Sequence, residues 1–183
     1  MPRLFTALAL PDEARAALSL LRGGLKGARW IDPENYHVTL RFIGDVDDRT
    51  ADEAADALAR IRRAPVTVRL AGLDCFGNRR QPHAVFARVE PTPALMELQA
   101  EQERILQRVG LPAEGRRFVP HVTLARLKGA TSADVASWLM LRGGFELPPF
   151  VARSFDLLSS RASVGGGPYL TEERYPLGLA AAA

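Results

Sequence analysis

The sequence predicts a bilobal, duplicated fold of strands and helices whose halves are related by an approximate two-fold axis. Three observations carry that prediction. The tetrapeptide His-Val-Thr-Leu occurs twice, at 37–40 and 121–124, and uses two of the only three histidines in the chain. Around each copy the hydrophobic periodicity repeats one order of elements: strand, helix, motif strand, helix, strand. Finally, 183 residues with 47% hydrophobic and 25% charged content suit one buried core and are too few for two independent ones. We therefore expect a single domain over 1–179, with the first copy at about 3–71 and the second at about 84–158.

The elements come in this order. The apolar run 4–10 reads as a first buried strand, since no small-residue cleavage site succeeds it as a signal core would require. Asp12 opens a helix to about 22 with Ala14, Leu18 and Leu21 on one side, and Gly23-Gly24 ends it. A strand over 36–43 carries the first motif and closes at Gly44. Thr50 and Glu53 have capping-box spacing for a helix to about 62, and a strand over 66–70 completes the copy. The second copy starts with a strand over 84–89. Thr92 as N-cap and Pro93 at the first helical position open a helix with Leu95, Leu98, Ile105 and Val109 on one side, stopped by Gly110. The second motif lies on a strand over 118–127, closed by Gly129. Thr131 and Asp134 repeat the capping-box spacing before a helix to about 141. A strand over 151–158 and an extra one over 169–177 complete the chain, and the alanines at 180–183 read as a disordered tail.

Composition narrows the functional class. The single cysteine, Cys75, excludes an internal disulfide or a cysteine-based zinc cluster and points to a reducing cytoplasm. No apolar run reaches the length of a membrane span, so no membrane association is expected. A net charge of +3 and a sequence pI near 9.5 favour an anionic partner. A monomer is expected.

Side chains alternate along a strand, so His37 and Thr39 face one way while Val38 and Leu40 face the other; His121 and Thr123, Val122 and Leu124 divide likewise. Two such strands set face to face would place two imidazoles and two hydroxyls around one small site. An imidazole titrates near pH 6.5, so one ring can be neutral and the other protonated near neutrality. Phosphodiester cleavage needs both states, a base for the attacking oxygen and an acid for the departing one. Thr39 and Thr123 can donate hydrogen bonds to the non-bridging oxygens, and this chemistry requires no metal or other cofactor. Two readings compete: strand histidines satisfied by hydrogen bonds, and a metal site. Against the metal, no Asp, Glu or Cys faces the same way in either motif, and threonine is a poor ligand.

Further candidates surround the motifs. By alternation Arg41 shares the His37 face and can reach a phosphate, or else sits in solvent at a strand edge. Strict alternation turns Arg126 away from His121 unless a bulge intervenes. The basic loops 78–81 and 115–117 can track a nucleic-acid backbone. Phe42, Phe118 and Tyr169 can stack on a base, although Phe42 and Phe118 read first as core, as do Trp30 and Trp138. His83, beside Pro82, reads as structural or surface.

The stretches 3–8, 35–44 and 120–126, each motif with its flanks, resemble the 2H phosphoesterase superfamily. Within it they are similar to the bacterial RNA 2',3'-cyclic phosphodiesterases, first described as 2'-5' RNA ligases. The resemblance implies an α+β fold of two antiparallel β-sheets flanked by helices around a central histidine-lined cleft. It further implies hydrolysis of an RNA 2',3'-cyclic phosphate to a 2'-phosphate without a cofactor, on RNA or a small nucleotide bearing that cyclic phosphate. Carried onto this chain, His37 is the proton donor to the leaving 3'-oxygen, His121 the proton acceptor that activates water, Thr39 and Thr123 hold the phosphate, and Arg126 contacts it. Alternatives are 2'-5' RNA ligation, cleavage of another cyclic or 2',5'-linked nucleotide, and, in a different class, a non-catalytic RNA-binding module.

Overall fold

The computed structural model describes residues 3–78, 80–160 and 167–178. The expected tail at 180–183, and Arg79 of the first basic loop, lie outside them. The order is β1 (Arg3–Ala9), α1 (Asp12–Ser19), β2 (Ala28–Trp30), a short 3-10 turn (Pro33–Asn35), β3 (His37–Asp45), α2 (Asp48–Leu58), β4 (Val66–Val68), β5 (Leu70–Gly77), β6 (Pro82–Val89), α3 (Pro93–Arg108), β7 (His121–Leu127), α4 (Ser132–Met140), β8 (Phe150–Ala152), β9 (Ser154–Ser160) and β10 (Tyr169–Pro176). The strands form two four-stranded antiparallel sheets, ordered β10-β9-β1-β3 and β2-β7-β6-β5, with a two-stranded β4-β8 sheet beside them. This is the duplicated α+β arrangement expected.

The halves interlock in a way the expected boundaries 3–71 and 84–158 do not describe. β1 and β3 of the first copy correspond to β6 and β7 of the second. The third strands cross over: β9, from the second copy, pairs with β1, and β5, from the first, pairs with β6. Each sheet therefore draws strands from both copies.

Local chemistry places most elements. Thr92 caps α3, its hydroxyl accepting from the Leu95 N–H at 3.4 Å, and the Thr131/Asp134 capping box opens α4 as expected. The cap of α2 differs from expectation. Asp47 is the N-cap, its carboxylate accepting from the Thr50 N–H at 2.7 Å, while Glu53 pairs with Arg49 at 3.0 Å. An aspartate three residues upstream is a better N-cap than a threonine, and the helix starts where the stronger acceptor stands. β2, which periodicity does not reveal, is three residues long, too short to show a period. It adds to the edge of β7 through Gly27, whose positive φ of 74° and close approach to the Lys128 carbonyl leave no room for a Cβ: one there would lie 2.3 Å from that oxygen.

The apolar halves of both motifs enter the core. Val38, Leu40, Val122 and Leu124 are buried together with Leu8, Leu18, Leu58, Leu98 and Trp138. Burial of each such aliphatic side chain stabilises the fold by about 1.5–3 kcal/mol. That anchoring forces the polar halves of both strands outward on the opposite face. Among the described residues no helix is long and apolar enough to cross a membrane.

Candidate active site

Both polar halves face the same cavity. A cleft of about 640 Å³ is lined by His37, Thr39, His121, Thr123, Arg126, Phe42, Phe118 and Tyr169, all of them residues singled out from the sequence. β3 and β7 approach each other across it.

Each histidine is oriented by the same device. His37 Nδ1 lies 2.7 Å from the carbonyl oxygen of Asn35, and His121 Nδ1 lies 2.6 Å from that of Val119, two residues upstream in both cases. A carbonyl oxygen only accepts, so Nδ1 carries the proton and Nε2 of the neutral ring holds the lone pair. His37 Nε2 accepts from the Thr39 hydroxyl at 2.9 Å.

The surroundings of the two rings differ. His37 packs against Phe5 and edge-on against Tyr169, at centroid separations of 5.2 and 5.1 Å. His121 meets the edges of Phe76 and Phe86 at 4.7 and 5.2 Å. Burial lowers the His37 pKa to about 4; the Asn35 carbonyl opposes the shift, and the charges of His121 and Arg126 add to it. Burial also lowers the His121 pKa, against the pull of the Val119 carbonyl. Both rings are therefore predominantly neutral at pH 7 in the free protein.

A bulge in each motif strand redirects the residues beyond the threonine. Ala7 pairs with Thr39 but Thr6 pairs with Arg41, so Leu40 is skipped; Phe86 pairs with Thr123 but Val85 with Ala125, so Leu124 is skipped. An extra residue reverses the sidedness of the strand beyond it. Leu40 and Arg41 are both buried, and so are Leu124 and Ala125. Phe42 and Arg126, the equivalent residues beyond the two bulges, then face the cleft.

Two expectations change as a result. Arg126 enters the cleft that His37 and His121 share after all, because the bulge intervenes, and its charge is felt by His37. Arg41 does not present its charge beside His37: although it borders the cleft, its side chain is 5% exposed, paired with Glu103 and donating to the carbonyls of Phe42 and Pro112. Phe42 is not core either, being 49% exposed.

Of the basic loops, 115–117 contributes Arg116 and Arg117 to the rim, while none of the described residues of 78–81 lines the cleft. Trp30 and Trp138 pack on each other at 5.8 Å, away from it. His83 does line the cleft, next to Ala84, which pairs with Arg126; only the strand pairing reveals this, since nothing in its own neighbourhood marks it. Phe5 and Phe76 are equally silent in the sequence, because an aromatic residue in an apolar strand looks the same whether it faces core or cleft. Among the described residues no three His, Cys, Asp or Glu side chains are grouped as a metal ion would need.

Comparison with known proteins agrees with this architecture. A family model described as LigT like Phosphoesterase matches the chain twice, at 8–87 and 88–169. The chain is 35% identical over 188 residues to an RNA 2',3'-cyclic phosphodiesterase of Thermus thermophilus, covering 96% of this chain and 90% of that one. It is 34% identical over 128 residues to an RNA 2',3'-cyclic phosphodiesterase of Geobacillus stearothermophilus, covering 67% of this chain but only 41% of that longer protein. Among solved structures, E. coli LigT complexed with 3'-AMP superposes with a TM-score of 0.74 at 25% identity, covering 97% of this chain and 99% of that one.

Proposed function

This chain belongs to the LigT like phosphoesterase family, and we propose that it hydrolyses RNA 2',3'-cyclic phosphodiester ends to 2'-phosphomonoesters by acid/base catalysis between His37 and His121. One observation carries the reading: two histidines, each locked by a backbone carbonyl at Nδ1, line one cleft with Nε2 as the atom left to move a proton.

His121 is the proton acceptor. Its Nε2 takes a proton from water as the water oxygen bonds to phosphorus, and the bond from phosphorus to the ribose 3'-oxygen breaks. His37, protonated at Nε2, gives its proton to that departing oxygen, and the phosphate remains on the 2'-oxygen. Access to water supports this division, whereas in the free protein His37 is the ring held more firmly neutral and gains its proton only with substrate bound. His121 is the less deeply buried ring and the more accessible to water, whereas His37 is enclosed by Phe5 and Tyr169. The His37 proton arrives with substrate: burial is the main cause of the low His37 pKa, with positive neighbours adding to it, and an anionic phosphate beside the ring favours the imidazolium against both. Protonated Nε2 has no lone pair, so the Thr39 hydroxyl is released from it and turns, with Thr123 and Arg126, toward the phosphate oxygens. Phe42 and Tyr169 flank the position of a terminal base, a role suited to aromatic faces.

Turnover of an oligonucleotide ending in a 2',3'-cyclic phosphate, with chelator present, tests the reading. The expected product is the 2'-phosphate, at a rate the chelator leaves unchanged. Binding without turnover would reassign the chain as an RNA-binding module, and a 3'-phosphate product would reverse the direction of bond cleavage.

A further inference from the structure

Arg41 is the one cation of the motif strands that the cleft chemistry does not use, and it is nearly the most buried charged group among the described residues. It stands directly across from Thr6 on β1. These two cross-strand neighbours grip two consecutive residues of α3: the Thr6 hydroxyl donates to Gln102 Oε1 at 2.5 Å, and Arg41 pairs with Glu103. Arg41 Nη2 also donates to the Pro112 carbonyl at 2.6 Å. Glu103 in turn accepts from the Glu114 N–H at 3.0 Å and from Gln107 at 2.6 Å, and the Glu114 carboxylate accepts from the backbone and side chain of Arg116, both at 3.2 Å.

The stretch between α3 and β7 contains no strand or helix, yet it carries Glu114, Arg116, Arg117 and Phe118 on the wall of the cleft. Without ladder hydrogen bonds of its own, its course depends on these contacts. A buried arginine able to reach three acceptors in a planar fork is the residue type for such a junction.

We infer that Arg41 is a positioning residue: with Glu103 it clamps the 112–118 segment to the first motif strand, so that Arg116 and Arg117 stand ready for the phosphates of an RNA chain beyond the reacting nucleotide. The second part rests on the function proposed above. The first part stands on the contacts alone. The clamp separates two tasks within one cleft, since the histidines act on the terminal phosphate and the segment holds what precedes it.

The test uses Arg41→Met, Glu103→Gln and the double variant in the full chain. Trypsin cleavage after Arg116 and Arg117 reports the segment without reference to activity, and KM is measured for a 2',3'-cyclic-ended oligonucleotide and for a 2',3'-cyclic mononucleotide. Each single variant is expected to speed cleavage in the segment about tenfold. Each should also raise the oligonucleotide KM at least about fivefold, leaving kcat and the mononucleotide KM within about twofold. The double variant should be no worse than either single one, as for two members of one interaction. Glu103→Gln keeps the test available if Arg41→Met does not fold. A raised mononucleotide KM in Arg41→Met with unchanged segment cleavage would overturn the clamp in favour of direct phosphate contact. Equal acceleration at every trypsin site would reduce Arg41 to general stability. If the unaltered protein turns over neither substrate, the proposed reaction fails, while segment cleavage and oligonucleotide anisotropy still decide the clamp.

Discussion

His37 and His121 share four-letter contexts and the same Nδ1 anchor, yet burial and neighbouring charge separate their titrations. The active form needs His37 protonated and His121 neutral, so kcat/KM, which reports the free enzyme, is expected to peak between pH about 4 and the His121 pKa, below 6.5. Inside that window the prevailing free form carries its proton on His121, so the active form is at its maximum there but remains the minor species; above it both rings are neutral and the donor is lost, and below it both are protonated and the acceptor is lost. The kcat optimum should lie at higher pH, because bound phosphate raises the His37 pKa. A kcat/KM maximum above pH 8 would contradict this assignment. The same shift affects stability. An unfolded His37 titrates near 6.5 and the folded one at about 4, so between these values the unfolded state binds more protons and stability falls as pH drops through that window. His37→Ala should remove this contribution to the pH dependence of melting, and His37→Ala and His121→Ala should each lower turnover at least about 100-fold while the fold survives.

At the scale of elements, the motif strands show where periodicity succeeds and where it stops. Alternation assigned His37, Thr39, His121 and Thr123 to the polar face correctly, because Val38, Leu40, Val122 and Leu124 are apolar enough to decide the matter by burial. Beyond the threonines it misplaced Arg41, Phe42 and Arg126, since a bulge is a property of two paired strands and neither strand alone announces it. Helix ends were legible where cap and capping partner stood alone, as at Thr131 and Asp134, and ambiguous where two acceptors competed, as at Asp47 and Thr50. Asp47→Ala is therefore expected to lower the melting temperature, whereas Thr50→Ala, an ordinary surface change worth about 0.5 kcal/mol or less, should shift it by no more than about 2 °C. Gly27→Ala should cost at least about 1–2 kcal/mol in chemical denaturation, because its φ disfavours any Cβ and the Lys128 carbonyl occupies the space.

For the whole molecule, the exchange of third strands makes the two copies interdependent. β5 finds its partner only in the second copy and β9 finds its partner β1 only in the first. Chains ending near residue 78, or beginning near 80, should lack a cooperative melting transition and dispersed amide resonances when expressed alone, whereas the full chain should melt in one step. A folded isolated half would refute the interdependence. The exchange also explains the cleft, since two sheets that each draw strands from both copies cannot drift apart, and the histidines on β3 and β7 keep their spacing.

The repeat, the order of elements, the apolar anchoring of each motif and the residue types suited to proton transfer were all decided locally, by period and by side-chain chemistry within a few positions. The crossing of β5 and β9, the turning of Arg126 into the cleft and Arg41 out of it, the entry of His83, and the unequal titration of two identical motifs depend on which strands pair and what lies across the cleft. Those are relations between residues far apart in the chain, and the energy that selects them, burial shared between sheets and charge felt across a cavity, exists only once the chain has folded.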